Sequence, residues 1–203
     1  MRLCDRIKQG PWKPLSEICL PGTLKSGPRF KRIDADPEFA YQLIGQKQIF
    51  WLRPEGRWIA KSSVGEEVLV PDGTILVAAQ GTLGESELFC RSEFITGALL
   101  ERAYSQHFLR VISNEEVIPR GALYAFMRSE TAFRMLRSAS TGSKLQDFHY
   151  AVLLNLPIPY PPEDIRVWCN QLIVEAYKAR EKAVELGDQA RNLVECTIEE
   201  GSR

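Results

Sequence analysis

Hydrophobic and polar positions change rhythm at Pro161-Pro162. Before the prolines, apolar residues fall in short runs broken by Gly, Pro, Asp and Ser, the pattern of strands and tight connections. "TILVAA" (Thr74–Ala79) and "ESELFC" (Glu85–Cys90) flank Gly81-Thr82-Leu83-Gly84, which predicts a hairpin whose glycines take up the turn. Val68–Val70 predicts a shorter strand, closed by the turn tripeptide Pro71-Asp72-Gly73. "YQLIGQKQIFWL" and "HFLRVI" predict two more strands. After Pro119 the spacing lengthens. Leu123, Phe126 and Met127, then Ala132, Phe133 and Leu136, predict one or two short helices with a break near Ser129. A polar loop, "STGSK", and a short helical or irregular segment, "LQDFHYAVLLNL", lead to the prolines.

Beyond the prolines a seven-residue repeat takes over. Ile165, Leu172, Ala179, Leu186 and Leu193 fall at one position, and Cys169, Ala176, Ala183, Ala190 and Thr197 fall four residues later. Heptads of large and small apolar residues with charges elsewhere predict one helix, roughly 57 Å long, carrying a coiled-coil seam. Glu163 and Asp164 stand in its first turn, where the helix dipole favours negative charge. Two placements would cover the stripe: a partner helix, brought close by the alanine column, or the chain's own domain. The helix overhangs a domain whose radius of gyration should be near 16 Å, which favours the partner. The expectation is an α+β protein, with a mixed, strand-rich domain over 1–161 and a long coiled-coil helix over 162–203.

Composition sets limits on this. At 203 residues, 44% hydrophobic and 26% charged, the chain can bury one real core plus an appendage. No apolar run approaches the roughly 20 residues that span a bilayer, and "MRLCDRIKQGPWK" lacks the apolar stretch of a signal peptide. A cytoplasmic protein without membrane association is expected. Formal net charge is zero, but its distribution is uneven. Residues 1–61 hold 12 Lys and Arg against 6 Asp and Glu, whereas 62–118 hold 3 against 9. Residues 119–161 hold 5 against 2, and 162–203 hold 6 against 9. Two basic segments thus flank an acidic one, and a basic face forms if they meet in space.

Catalytic signatures are missing. The sequence has no phosphate-binding G-x-x-x-x-G-K-[ST], no G-x-G-x-x-G, no G-x-S-x-G and no H-E-x-x-H. Five scattered cysteines, none in a C-x-x-C pair, argue against zinc and against a disulfide framework; they read as reduced and mostly buried. His107 and His149 lack companion ligands and read as ordinary surface or core residues. No enzyme activity, bound cofactor or metal is expected.

Together the pieces resemble one half of the DNA-specificity subunit of type I restriction–modification enzymes. "VPDGTILVAAQGTLGES" is similar to that family's strand-turn-strand in the target recognition domain, and "STGSKLQDFHYAVLLNLPIPYPP" to its closing segment. The helix after the double proline is similar to the family's spacer helix, and "WKPLSEICLPGT" more loosely to its opening. The likeness runs in order from about Trp12 to Glu200, and the proline–helix junction is its most specific part. There are departures: Glu163-Asp164-Ile165-Arg166 stands where the family often has Glu-Glu-Gln, and Glu85 follows the turn glycine where lysine is common. The resemblance implies a non-catalytic subunit of the prokaryotic cytoplasm that reads one half of a split double-stranded DNA target in phage defence. Adenine methylation, with S-adenosylmethionine as donor, would belong to a partner methyltransferase subunit, and cleavage to a restriction subunit. With one recognition domain instead of two, the chain is expected to pair with a copy of itself through Ile165, Leu172, Ala176, Ala179, Ala183, Leu186, Ala190 and Leu193. A protein-interaction module with a coiled-coil arm and no DNA binding is the alternative.

Candidate DNA contacts are side chains that bond base edges or phosphates and lie in basic or glycine-rich stretches. Arg29, Lys31, Arg32, Gln46, Lys47 and Gln48 come from the basic, aromatic-interleaved first segment. Gln80 and Thr82 come from the glycine turn, and Ser140, Thr141, Ser143 and Lys144 from the polar loop. Trp51 and Trp58 read as packing residues.

Overall fold

Every residue of the segment Thr74–Ala78 is buried, which a strand achieves only when both of its faces are covered. The computed structural model describes residues 3–142 and 147–201, and shows what covers them. In chain order the elements are α1 (Leu3–Ile7), β1 (Trp12–Pro14), α2 (Leu15–Ile18), β2 (Lys25–Ser26), β3 (Ala40–Ile44) and β4 (Arg57–Ala60). There follow β5 (Thr74–Ala78), β6 (Ser92–Ile95), β7 (Ala103–Tyr104), β8 (Phe108–Val111), α3 (Arg120–Met127) and α4 (Glu130–Ser138). Then come β9 (Ser140–Thr141), β10 (Asp147–Phe148), α5 (Tyr150–Leu154), β11 (Pro157–Pro159) and α6 (Glu163–Gly201). The architecture is α+β with a long C-terminal helix, as the periodicity predicts.

The central sheet is antiparallel, in the order β2-β8-β5-β6. A second sheet, β4-β3-β7, pairs β3 with β4 antiparallel and with β7 in parallel. Alternate side chains of the central sheet point to opposite layers. Ile75, Val77, Phe94, Leu109 and Val111 pack with Leu123, Tyr124, Phe133 and Leu136 of α3 and α4. Leu76, Ile95 and Phe108 pack on the other face with Ile44, Ile49 and Tyr104. Helices cover one face and the second sheet the other. The start of the chain and the segment just before α6 are tied together by β1 and β11, which pair antiparallel.

Three local expectations hold. The helical break falls at Ser129, whose hydroxyl accepts from the backbone N–H of Ala132 at 3.2 Å and caps α4. Gly73 takes a φ of +81° in the Pro-Asp-Gly turn. β3 and β8 occupy two predicted strand segments, although Gln48–Phe50 turns into a short 3-10 helix.

Two others are corrected. The hairpin partner of β5 is Ser92–Ile95, and Glu85–Cys90 is a looped segment. Its apolar end plugs the core, with Phe89 and Cys90 buried, and Cys90 kinks at φ +72°. Val68–Val70 is not a strand: a 3-10 turn covers Glu66–Val68. The Arg110 guanidinium takes up the carbonyls of Glu67 (2.7 Å) and Leu69 (3.2 Å), acceptors that a neighbouring strand would otherwise need.

Helix α6 uses two different faces. Asn170, Ile173, Tyr177, Arg180, Val184 and Asp188, spaced by three and four, turn toward the domain. Gly121 of α3 lets the two helices approach closely, and its N–H donates to Asn170 Oδ1 at 2.9 Å. Arg53 donates to the Val184 carbonyl at 3.1 Å and pairs with Asp188. At the junction, Arg166 lies over the Tyr160 ring at 4.0 Å and donates to the Pro161 carbonyl at 2.6 Å, which fixes the direction in which the helix leaves. Past Asp188 every described side chain is exposed. The heptad positions lie off the packed face: Leu172 is 47% exposed, Leu186 53% and Leu193 70%. Cys169 is the exception, packing partly against the core.

Candidate nucleic-acid interface

The end of the central sheet where β5 exits and β8 begins gathers most of the candidate residues. The His107 carbonyl, just before β8, accepts from the backbone N–H of Ala79 at 2.8 Å and from Gln46 Nε2 at 2.9 Å. One carbonyl therefore joins the exit of β5, which runs straight into Gln80, to the turn after β3, which carries Gln46, Lys47 and Gln48. Arg29 and Arg32 stand close enough that, together with burial as the larger cause, they hold the His107 imidazole below its usual pKa. Arg32, Gln46, Gln48, Arg57, Ser105 and His107 line a concavity of about 330 Å³. Arg57 is paired with Asp34 at 2.6 Å. Arg29, Lys31, Arg32 and Lys47 are exposed.

From Gln80 the chain enters the glycine turn. Thr82 and Leu83 are exposed at its tip. Arg137 donates to the Gly84 carbonyl, and Arg134 and Arg137 face the Glu85 carboxylate at 3.4 and 3.8 Å. Arg91 donates to the Glu85 carbonyl at 3.0 Å. Glu85, which stands where lysine is common, is thus ringed by three arginines, and the loop keeps a cationic surround. Phe89 at the loop's base stacks on Phe148 with centroids 5.4 Å apart, and Phe148 pairs with Ser140 across β9 and β10. The basic third segment thus abuts the loop 80–89, and the first meets the strand end before it through the His107 carbonyl. Ser140 and Thr141 lie beside that loop, and Ser140 Oγ donates to the Arg137 carbonyl at 2.7 Å. Ser143 and Lys144 lie outside the described residues.

Sequence reasoning missed His107, Ser105, Arg57 and Arg91, because a lone side chain carries no local signal and its role depends on backbone pairing. A larger cavity, about 540 Å³, lies between α6 and the second sheet. Glu55, Glu181, Glu185 and Asp188 line it together with Arg53, Arg102 and Arg180, so its charges largely balance and it offers no cationic surface to a polyanion. Among the described residues no three His, Cys, Asp or Glu side chains cluster to hold a metal, and no helix is long and apolar enough to cross a membrane.

No known family model and no curated protein matches the chain. Solved structures do. The HsdS subunit from Thermoanaerobacter tengcongensis superposes with a TM-score of 0.53 at 16% identity, over 88% of this chain and 44% of its own. The S subunit of the type I restriction-modification system from M. genitalium gives 0.57 at 14% identity, over 90% of this chain and 43% of its own. A chain from a structure describing complex assembly and conformational transition of the type I R-M system gives 0.53 at 15% identity, over 88% and 44%. This chain spans less than half the length of each. It therefore has the fold of type I restriction–modification specificity subunits, in the extent of about one half of such a subunit.

Proposed function

We propose that this chain is a non-catalytic DNA-recognition subunit of a type I-like restriction–modification assembly. Residues 1–161 contact one half of a split double-stranded target. Residues 162–203 pair with the same helix of a second copy, so that two recognition domains stand a fixed distance apart. The observation that carries this reading is the fold shared with solved specificity subunits. The exposed heptad positions of α6 supply the surface through which a second half would be recruited. A twofold pair would read a palindromic bipartite sequence, since protein and site symmetry mirror each other.

The DNA-contacting side chains come from Arg29, Lys31, Arg32, Gln46, Lys47, Gln48, Gln80, Thr82, Ser140, Thr141, Ser143 and Lys144. Adenine methylation belongs to a partner methyltransferase subunit that binds S-adenosylmethionine, and any cleavage belongs to a restriction subunit. The assembly works in the prokaryotic cytoplasm as a phage defence.

Salt dependence tests this reading against a protein-interaction module built on the same exposed stripe. Affinity for duplex DNA should fall by about 0.9 log unit per phosphate contact for each log unit of salt. Absence of any salt-dependent binding, with and without a co-purified methyltransferase, would favour the interaction module.

A further inference from the structure

Two arginines tie the candidate DNA turn to the long helix. The segment from Gln46 to Arg53 leaves β3, passes through the 3-10 helix Gln48–Phe50 and reaches α6. Ile49 is fully buried in the cluster that holds Ile44 and Tyr104, and its N–H donates to the Gly45 carbonyl at 3.2 Å. Trp51 N–H donates to the Gln48 carbonyl at 3.0 Å. The turn carrying Gln46, Lys47 and Gln48 is therefore firmly joined to residues 51–53. Arg180 of α6 donates to the Trp51 carbonyl at 2.7 Å, and Arg53 donates to the Val184 carbonyl at 3.1 Å and pairs with Asp188. Gly187 leaves room for this crossing, since a Cβ there would stand 2.9 Å from Arg53 Nη2.

Packing alone does not set the helix direction here. A cavity of about 540 Å³, with Leu52, Pro54 and Val184 in its walls, separates α6 from the second sheet, and the bridges beside it are polar. Toward its start α6 is anchored at Asn170, against Gly121. Asp188, eighteen residues later, is the last described side chain of α6 that is not exposed. These anchors stand about 27 Å apart along the helix, and Gly201 lies about 46 Å from the first. A slack of about 1 Å at Asp188 would move the far end by about 1.7 Å. With Asp188 released, Arg180 becomes the last anchor, about 15 Å from Asn170, and the same slack moves the far end by about 3 Å. One base pair of a duplex rises about 3.4 Å. The Arg53 bridge thus decides whether the play in the helix stays well below one base-pair step or approaches it.

We propose that Arg53 is a positioning residue that, together with Arg180, fastens the turn Gln46–Gln48 to α6 and fixes how many base pairs are accepted between two half-sites. The inference rests on the DNA-recognition and pairing reading above and deepens it. The paired helices supply the span, and the Arg53 bridge keeps that span narrow at each end. Arg53 acts through the turn and the helix and contacts no base.

The test uses the full chain. Selection from randomised duplexes gives the parent's half-sites, and a set of duplexes then carries them with spacers a few base pairs shorter or longer. The parent should prefer one spacer over its nearest neighbours by about tenfold or more, because DNA must twist or bend to fit a wrong one. Arg53 and Asp188 are more than a third exposed, so losing their pair changes stability little. Arg53→Ala and Asp188→Ala should each lower the preference to about threefold or less, and the double variant no further, because both break one bridge. Half-site sequence, salt slope and oligomeric mass should stay parental. Asp72→Ala breaks a pair of similar exposure with Arg120 inside the recognition domain, and should keep the tenfold preference. Parental spacer preference in both Arg53→Ala and Asp188→Ala would overturn the assignment, as would an equal loss in Asp72→Ala. An altered half-site sequence in Arg53→Ala would overturn it too, by making Arg53 a base reader. A parent chain that enriches no bipartite sequence would instead remove the DNA-recognition reading itself.

Discussion

Tyr177, on the long helix, donates its hydroxyl hydrogen to the carboxylate of Glu93, a strand residue only 3% exposed in the middle of the domain. Arg180, one turn on, donates to the same carboxylate at 3.0 Å, and the Tyr124 hydroxyl lies 2.7 Å from that of Tyr177. A buried carboxylate needs such donors, and here most of them come from the helix. The helix is therefore locked in angle to the sheet that carries the candidate DNA loops. Burial and the Glu93 charge hold the Tyr177 phenol far above its usual pKa, so it remains a donor.

Tyr177→Phe removes one donor from Glu93 and the partner of Tyr124. It should destabilise the protein by about 1–3 kcal/mol, read as a lower urea midpoint with an unchanged denaturant slope.

Gly121 sits where α3 crosses α6. A Cβ there would stand 3.0 Å from the Asn170 carbonyl oxygen and 3.1 Å from its Cα. Gly121→Val should push the helices apart and cost about 1–3 kcal/mol by thermal melting, whereas a valine at exposed Gly10 should cost less than half of that.

Leu186 is half exposed and lies off the face that α6 turns to the domain. Leu186→Asp should convert a dimer to a monomer by light scattering, with the circular dichroism spectrum unchanged. An unchanged mass would remove the heptad positions as a seam.

The same helix shows what the sequence makes legible. Heptad spacing locates α6 almost to the residue, and Ser129 marks the helical break by its capping chemistry, because both signals are local. The face packed on the domain was not legible. Glu93 in "SEFI" is a charged residue on a short strand, and its partners come from far along the chain, Arg128 from α3's end and Tyr177 and Arg180 from more than 80 positions away. Local pattern misplaces the hairpin for a related reason. "ESELFC" ends in an apolar run of strand-like residues after a glycine turn, but its Phe89 and Cys90 fill the core from a loop whose Glu85 is held by Arg134 and Arg137. At the candidate site, Gln46 and Gln80 are recognisable as residue types, but the junction at the His107 carbonyl of Gln46 with Ala79, the neighbour of Gln80, depends on pairing between distant strands.

His107 gives a pH prediction. Its folded-state pKa is lowered by burial and by Arg32 and Arg29, so below about pH 6.5 the unfolded chain binds more protons than the folded one. Stability should then fall as pH drops through that range toward the folded-state pKa. His107→Gln should flatten this part of the urea-midpoint profile, and an identical slope in parent and variant would show that the imidazole is not perturbed.

Lys47 is exposed beside Gln46. Lys47→Glu should weaken duplex binding at least several-fold at low salt by replacing attraction with repulsion, and leave the oligomeric mass unchanged. Loss of the oligomer in this variant would mean that the turn after β3 belongs to a protein interface.

The most direct measurement is selection of bound duplexes from a randomised pool by the full chain, alone and with a co-purified adenine methyltransferase subunit. Enrichment of a bipartite sequence whose two halves are related by twofold symmetry and separated by a spacer of fixed length is expected. Enrichment of no sequence in either setting would contradict the DNA-recognition reading.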